Sequence, residues 1–205
     1  PIFSNLFNNI DFQEIEFESK NNFSFSIDKN LKFNNFKVQS TINLNQLSFN
    51  EKHLKLKLYL PSFLEEIRFE NHKIVINYEK NKLDIKGNGS ILLEDKIDSL
   101  SYQIIKKNNN FLFDSKIKLK KNSLLIDFLN YEKKENLSSL ISIKGNLKKN
   151  KKMKFDSINL KEENNIISIK GLDLNKDFKI IDIESFNINY ENIKKILNKL
   201  SLKKD

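Results

Sequence analysis

The sequence predicts an all-β protein: an extended antiparallel meander of short strands with one long apolar face and short helices at its two ends. Apolar residues alternate with polar ones along most of the 205 residues, which is typical of half-buried strands. Short turns rich in Asn, Lys and Asp separate these runs at intervals of about ten residues, as in successive hairpins. No run of crossover-helix length separates them, which disfavours parallel strands.

The alternation is clearest over residues 54–60, where leucine alternates with lysine or tyrosine. This spacing predicts a strand with one aliphatic face and one mostly cationic face. Similar runs continue almost to the end of the chain. They are Phe23, Phe25 and Ile27; Phe36, Val38, Ser40, Ile42 and Leu44; Ile74, Ile76 and Tyr78; Leu100, Tyr102 and Ile104; Phe111, Phe113, Ser115, Ile117 and Leu119; Leu124, Ile126 and Phe128; Ile141 and Ile143; Ile167 and Ile169; and Phe186, Ile188 and Tyr190.

Three of the four glycines are the last residue of an Ile-Lys-Gly tripeptide, at Gly87, Gly145 and Gly171. The simpler interpretation is a shared way of turning or bulging at the end of a strand. The alternative is a weak internal repeat of stacked hairpins.

The two ends of the chain have helical spacing. We expect residues 1–190 to form a single elongated β domain of a longer protein, and residues 191–205 to form an amphipathic helix and tail. The C-terminal helix is indicated by apolar positions at helical intervals. These positions are Ile193, Ile196, Leu197 and Leu200, and the weaker N-terminal set is Ile2, Leu6 and Ile10.

The residue types argue against catalysis. There is no cysteine, and the two histidines, His53 and His72, lie in polar, turn-like contexts without a spaced metal-ligand set. No glycine-rich phosphate loop or nucleophile elbow is present, so we expect no enzyme activity, no metal and no cofactor. Nucleic-acid binding is also disfavoured, because Arg68 is the only arginine and the alternation places Phe111 and Phe113 on the apolar face, away from the lysines.

A sheet with one apolar face must cover that face, since each buried Leu, Ile or Phe contributes roughly 1.5–3 kcal/mol. Three solutions are open: a second sheet, a closed barrel, or a trough that meets a lipid-like ligand. A trough lined by bulky apolar residues suits acyl chains, which need burial and no directional contacts. A dry sandwich explains the alternation equally well.

One part of the chain resembles a known family. The stretch from Leu83 to Tyr190 contains KLDIKGNG at 82–89, LSYQI at 100–104, IDFLNYE at 126–132 and a second Lys-Gly-Asn at 144–146. In strand rhythm and in these phrases it resembles the AsmA-like bacterial envelope proteins, most of all their YhdP-type branch. Extended back to Phe23, the resemblance covers most of the chain.

The resemblance implies a long sheet folded lengthwise into a hydrophobic groove, held at the inner membrane by a segment outside this sequence and spanning the periplasm. The implied function is phospholipid transfer between the two membranes, with acyl chains as the partner. The residues expected to line the groove are Leu54, Leu56, Leu58, Ile74, Ile76, Phe111, Phe113, Ile126 and Phe128. The alternative is a structural β module, such as an adhesin or scaffold repeat, whose apolar face is sealed by a second sheet.

Overall fold

A computed structural model describes residues 11–50, 56–63, 65–93, 96–148, 153–175 and 179–204. They form one large antiparallel sheet of twelve strands and a separate two-stranded sheet. The predicted all-β, antiparallel fold class is thereby confirmed. The N-terminal helix expected around Leu6 lies outside the described residues.

The large sheet is a meander whose neighbours in space are mostly neighbours in sequence, in the order β1-β2-β3-β4-β5-β6-β9-β10-β11-β13-β14, with β12 paired to β11. The small sheet consists of β7 and β8, inserted between β6 and β9. The strands are β1 Asp11–Ile27, β2 Phe33–Asn50, β3 Glu66–Glu79, β4 Lys82–Leu92, β5 Ile97–Lys107, β6 Asn110–Leu119, β7 Leu124–Ile126, β8 Tyr131–Lys133, β9 Ser139–Leu147, β10 Met153–Glu162, β11 Asn165–Leu174, β12 Ile180–Asp182, β13 Ser185–Glu191 and β14 Leu197–Lys203.

The strand register collects the alternating apolar residues on one side of the sheet, here called the apolar face. Residues directly opposite each other in an antiparallel pair point to the same side, and apolar residues pair with apolar residues in strand after strand. The face consists of Phe12, Ile15, Phe17, Phe23, Phe25, Ile27, Phe33, Phe36, Val38, Ile42, Leu44, Leu47, Phe49, Ile67, Phe69, Ile74, Ile76, Tyr78, Leu83, Ile85, Ile91, Leu100, Tyr102, Ile104, Phe111, Phe113, Ile117, Leu119, Ile141, Ile143, Leu147, Met153, Phe155, Ile158, Leu160, Ile167, Ile169, Leu172, Leu174, Phe186, Ile188, Tyr190, Leu200 and Leu202.

Paired β-bulges keep this face continuous along the longer strands. Asn45 is an extra residue of β2 relative to β1, and Asn71, with φ 51°, is an extra residue of β3 relative to β4. Asp156 of β10 and Gly171 of β11 form a second such pair, and Gly171 has φ 59°. One inserted residue shifts the period-two pattern by one position, so apolar residues before and after each bulge face the same way.

Two connections fold over one end of the apolar face; residues 56–63 and 120–138 are here called the cap. Leu60, Phe63, Leu124 and Tyr131 of the cap belong to one buried cluster with apolar-face residues at that end. The two connections also contact each other, since the Leu125 N–H donates to the Tyr59 carbonyl at 2.8 Å. The sheet residues in the cluster are Ile67, Ile91, Leu119, Leu160, Ile167, Ile188 and Tyr190, with Leu93 next to β4.

A buried polar cluster fastens the cap to β5. Asp98 accepts hydrogen bonds from the backbone N–H groups of Lys120 (2.6 Å), Lys121 (2.9 Å) and Asn122 (3.1 Å). The fully buried Lys133 ammonium donates to the carbonyls of Asn122 and Lys134. Because a buried charge needs hydrogen-bond partners, these contacts fix the course of the chain after β6.

Tyr131 is the second anchor of the cap and is fully buried. Its hydroxyl donates to Glu162 Oε2 at 2.7 Å, and its ring makes an edge contact with Tyr190, with centroids 5.5 Å apart. Burial, together with the hydrogen bond to Glu162, raises the pKa of the Tyr131 hydroxyl far above its usual value. The Tyr190 hydroxyl in turn donates to the Leu129 carbonyl of the cap.

The expected C-terminal helix in residues 191–205 is wrong, because β14 pairs with β13 along its whole length. The side chain of Asn192 accepts the N–H groups of Lys194 and Ile196, both at 2.9 Å, and Lys195 adopts φ 59°. This turn reverses the chain, and pairing with β13 then outweighs the helical spacing. Asp28 makes an equivalent turn between β1 and β2 by accepting the N–H groups of residues 30 and 32.

The prediction of a strand over residues 54–60 is also wrong for the described residues 56–60. Leu56–Leu58 forms a 3-10 turn of the cap instead. Tyr59 and Leu60 donate their N–H groups to the Leu56 carbonyl, so local hydrogen bonds replace a sheet ladder here.

The sheet has a cap end and an opposite end, here called the open end, where the hairpins β1–β2, β3–β4 and β5–β6 turn. Strands β1 and β14 form the two edges. Because successive antiparallel neighbours alternate in direction, β1 and β14 both run from the cap end to the open end.

Candidate functional site

The open half of the apolar face is the part nearest the open end, and none of its members belongs to the buried cluster under the cap. Several of its members near β1 are strongly exposed, with Phe23 at 62% and Phe33 at 68%. Large apolar side chains that are exposed together make this region a candidate binding surface. The open half comprises Phe23, Phe25, Ile27, Phe33, Phe36, Val38, Ile76, Tyr78, Leu83, Ile85, Ile104, Phe111, Phe113, Leu147, Met153, Phe155, Leu172 and Leu174.

Aromatic rings pack over glycines in the middle of the sheet. A Cβ at Gly145 would lie 2.7 Å from the Phe113 ring and 2.3 Å from the Lys154 carbonyl oxygen. A Cβ at Gly87 would lie 2.3 Å from the Tyr102 ring. The glycines therefore let these rings lie flat against the backbone, and Phe113 also contacts Phe155 edge-on at 5.7 Å.

The Ile-Lys-Gly tripeptide has two different structural roles. At Gly87 and Gly145 it lies inside strands β4 and β9 and makes room for a ring, so the expectation of a strand end is wrong there. At Gly171 the bulge interpretation is confirmed by the positive φ and the register.

His72 lies at the boundary between the capped and open parts of the face. It is 2% exposed, contacts the rings of Phe69 and Tyr102, and its Nε2 lies 2.7 Å from the Ser90 carbonyl oxygen. Burial lowers the pKa of this imidazole, while the bond to Ser90 opposes the shift. The turn-like context expected for His72 is wrong, since it is a packed residue of β3; His53 lies outside the described residues.

The outermost row that crosses the sheet from β2 to β11, here called the outermost row, contains one cation. Lys106 pairs with Leu83 on one side and with Phe111 on the other, so it points to the apolar face. Its ammonium lies 5.4 Å from the centroid of the Phe111 ring, within the range of a cation–π contact. The row runs through Val38, Tyr78, Leu83, Lys106, Phe111, Leu147, Met153 and Leu174.

The residues predicted to line a groove fall into two groups. Ile74, Ile76, Phe111 and Phe113 lie on the apolar face and are half-buried. The others belong to the cap or precede it. Leu56 and Ile126 pack against the buried cluster, Leu58 and Phe128 are exposed at 59% and 79%, and Leu54 lies outside the described residues.

The alternation pattern does not predict the cap, although the length and composition of its two connections indicate it. Leu124, Ile126 and Phe128 were expected to form another strand of the large sheet, but they divide between the short strand β7 and a 3-10 turn over Asp127–Leu129. The connections that form the cap are longer than the other turns, which have two to five residues, and each contains several large apolar residues. A long apolar connection in a meander indicates a segment that packs back onto the sheet.

The described residues contain no group of three or more His, Cys, Asp or Glu side chains arranged to hold a metal ion. Within the same part of the chain, no helix is long and apolar enough to cross a membrane. The described part of the candidate site therefore offers an apolar surface with one cation, Lys106, in the outermost row.

These features define the protein as a nearly all-β chain built on one large antiparallel sheet, with a cap over one end of a continuous apolar face. No family model, curated protein or solved structure matches the chain.

Proposed function

We propose that the open half of the apolar face curls into a groove that shields phospholipid acyl chains from water, as part of a lipid-transfer or envelope-maintenance protein. The observation that carries this proposal is the contrast within one face, where the cap buries one part and the open half leaves its large apolar side chains near β1 exposed. Exposure of apolar surface to water is unfavourable in free energy. A bound apolar ligand removes this exposure without a segment of the chain that covers the surface permanently.

The dimensions of the open half suit an acyl chain. From Phe111 to Ile117 the strand β6 advances six residues before it reaches the partly buried side chains under the cap, a distance of about 20 Å at ~3.3 Å per residue. The acyl chains of one membrane leaflet occupy ~15 Å, half of the hydrocarbon core. A lipid tail lying along the strands therefore fits between the open end and the cap.

The chemistry of the open half also suits a ligand held without directional contacts. Its rows contain aliphatic and aromatic side chains together with glycines that flatten the surface. Specific metabolite sites place several polar groups to orient a ligand, whereas an acyl chain requires only apolar contact.

The setting of this function follows from the resemblance to the AsmA-like envelope proteins. On that basis the protein acts in the periplasm, tethered to the inner membrane by a segment outside this sequence, and passes phospholipid between the two membranes. Acyl chains slide along the groove while the lysine-rich opposite face stays in water.

The test is native mass spectrometry of the purified chain, followed by lipid extraction. We expect phospholipid to copurify in stoichiometric amount and to be lost in Phe113→Asp, which places a carboxylate on the open half. The matched control is Leu112→Asp, since Leu112 is the adjacent residue, points to the other face and is half-exposed. Circular dichroism and thermal unfolding establish that both variants remain folded.

A second candidate is a structural β module with no lipid ligand. The buried cluster beneath the cap favours it, because the cap shows that this chain can seal apolar surface with its own segments. A folded, lipid-free and monomeric wild-type protein would favour this candidate. Equal lipid loss in both aspartate variants would remove the link between lipid and the open half.

A further inference from the structure

The outermost row of the open half combines an apolar surface with a single charge. Seven of its eight members are apolar or aromatic, and Lys106 is the eighth. The other carboxylates or ammonium groups on this face of the large sheet's strands are Asp98 and Glu162, which bond to the cap. A charge at the open end of an apolar surface is the arrangement that an amphiphile with an anionic head group complements.

Polar side chains surround Lys106 at the turns of two hairpins. A cavity of about 350 Å³ is lined by Tyr78, Asn81, Leu83, Lys106, Asn108 and Asn109. The β3–β4 and β5–β6 turns supply the three asparagines, with Asn81 and Asn108 in the left-handed region at φ 62° and 56°. The asparagine amide groups can donate hydrogen bonds to oxygen, while the Tyr78 hydroxyl donates to Asn81 Oδ1 at 3.3 Å.

From this arrangement we propose that Lys106 and the surrounding hairpin turns form a head-group site for the phosphate of an anionic glycerophospholipid. The inference rests on the proposed function and adds the chemical class of the lipid and its orientation. The phosphate lies at the open end beside Lys106, and the acyl chains run along the strands towards the cap. Lysine suits this role because it contacts phosphate as a point charge and needs no fixed bidentate geometry.

The cavity favours phosphodiester over carboxylate. Its volume and its several amide groups exceed what one carboxylate can use, whereas a phosphodiester with a polar alcohol offers oxygens on both sides of the phosphorus. The partly buried stem of Lys106 lies beside Leu83 and Phe111, so the ammonium reaches the cavity while its methylenes extend the apolar surface.

The test compares binding of phosphatidylglycerol, diacylglycerol and oleate by the full chain and by two variants. Wild-type protein is expected to bind phosphatidylglycerol about tenfold more tightly than diacylglycerol with the same acyl chains, the effect of one charge-assisted contact. Lys106→Gln removes the charge and is expected to abolish this preference while keeping diacylglycerol binding. Lys107→Gln is the control, because Lys107 is the next residue, points to the other face and is exposed.

The outcomes separate this inference from the proposed function. Binding of both neutral and anionic lipid without preference, unchanged in Lys106→Gln, would overturn the head-group site and leave the apolar groove standing. A loss of oleate binding alone in Lys106→Gln would overturn the assignment to phosphate. If the wild type binds none of the three ligands, both the head-group site and the apolar groove are overturned. Retention of the preference for phosphatidylglycerol in Lys106→Arg supports a phosphate contact through charge.

Discussion

The capped and open parts of the apolar face solve the same physical problem in different ways. Under the cap, apolar side chains are covered by the chain's own connections, and the charges of Asp98 and Glu162 have hydrogen-bond partners. In the open half, glycines and rings flatten the surface, and large side chains such as Phe23 remain exposed. Buried contacts are therefore concentrated at the cap end, whereas large apolar side chains near β1 remain exposed at the open end.

The largest expected contrast comes from truncating one aromatic residue in each part. Tyr131→Ala should lower the free energy of unfolding by about 3–5 kcal/mol, because it empties a fully buried site and leaves a cavity. Phe25→Ala should cost ~1 kcal/mol or less, since its side chain is already half exposed and little burial is lost. Urea denaturation of both variants measures the contrast, and equal losses would contradict it.

The next effect concerns the glycine beneath Phe113. Gly145→Ala should lower stability by about 2–3 kcal/mol, as in overpacked cores, because the new Cβ would lie 2.3 Å from a backbone oxygen. Gly87→Ala is the comparison, since the three atoms nearest its Cβ all belong to the Tyr102 side chain, and a side chain can move aside. Thermal unfolding of the two variants should rank Gly145→Ala as the more damaging; the reverse order would show that the β9–β10 backbone yields more readily than Tyr102.

The boundary between the two parts should respond to pH through His72. Its folded-state pKa is lowered by burial, so below about pH 6.5, the usual value for histidine, the unfolded chain binds a proton that the folded chain does not. This contribution to stability is present above pH 6.5 and is lost as the pH falls, by at most ~1.4 kcal/mol per pH unit.

Denaturant titrations of wild type and His72→Leu between pH 7.5 and 5 test this prediction, with the pH values taken on either side of ~6.5. The variant lacks the titrating group but shares the carboxylates. The wild type should lose more stability than the variant on acidification, and parallel curves would argue against a neutral buried imidazole.

The smallest expected effect is at the turn that replaces the expected helix. Asn192→Ala removes two side-chain hydrogen bonds to backbone N–H groups and should cost ~1 kcal/mol, because the turn is exposed and water replaces part of the loss. Hydrogen exchange of the β14 amides should rise locally while the β4–β6 amides remain unchanged. A global increase in exchange would show that the β13–β14 hairpin contributes to the stability of the capped part.

Much of the sheet could be predicted because the alternation is a local property of the chain. Phe111 and Phe113 were placed on one face from spacing alone, and the register confirms that placement. The bulges at Asn45 and Asn71 were not predicted, although the apolar phase changes between Leu44 and Leu47, which is a signal of an inserted residue. A change of phase is visible in a sequence, but the partner strand that accommodates it is not.

The C-terminal region shows why spacing can mislead. Ile193, Ile196 and Leu200 have helical intervals, yet Leu200 and Leu202 also have strand intervals. Local propensity does not separate these possibilities. The decisive contact is with β13, whose position follows from the pairing of all preceding strands.

The shared direction of the two edge strands limits how copies of this sheet could join. Because β1 and β14 both run from the cap end to the open end, placing β14 of one copy beside β1 of an identically oriented copy would make a parallel pair. Antiparallel joining at one kind of edge requires a two-fold axis perpendicular to the sheet. Such a pair would keep both apolar faces on the same side, while the cap of one copy would lie diagonally opposite the cap of the other.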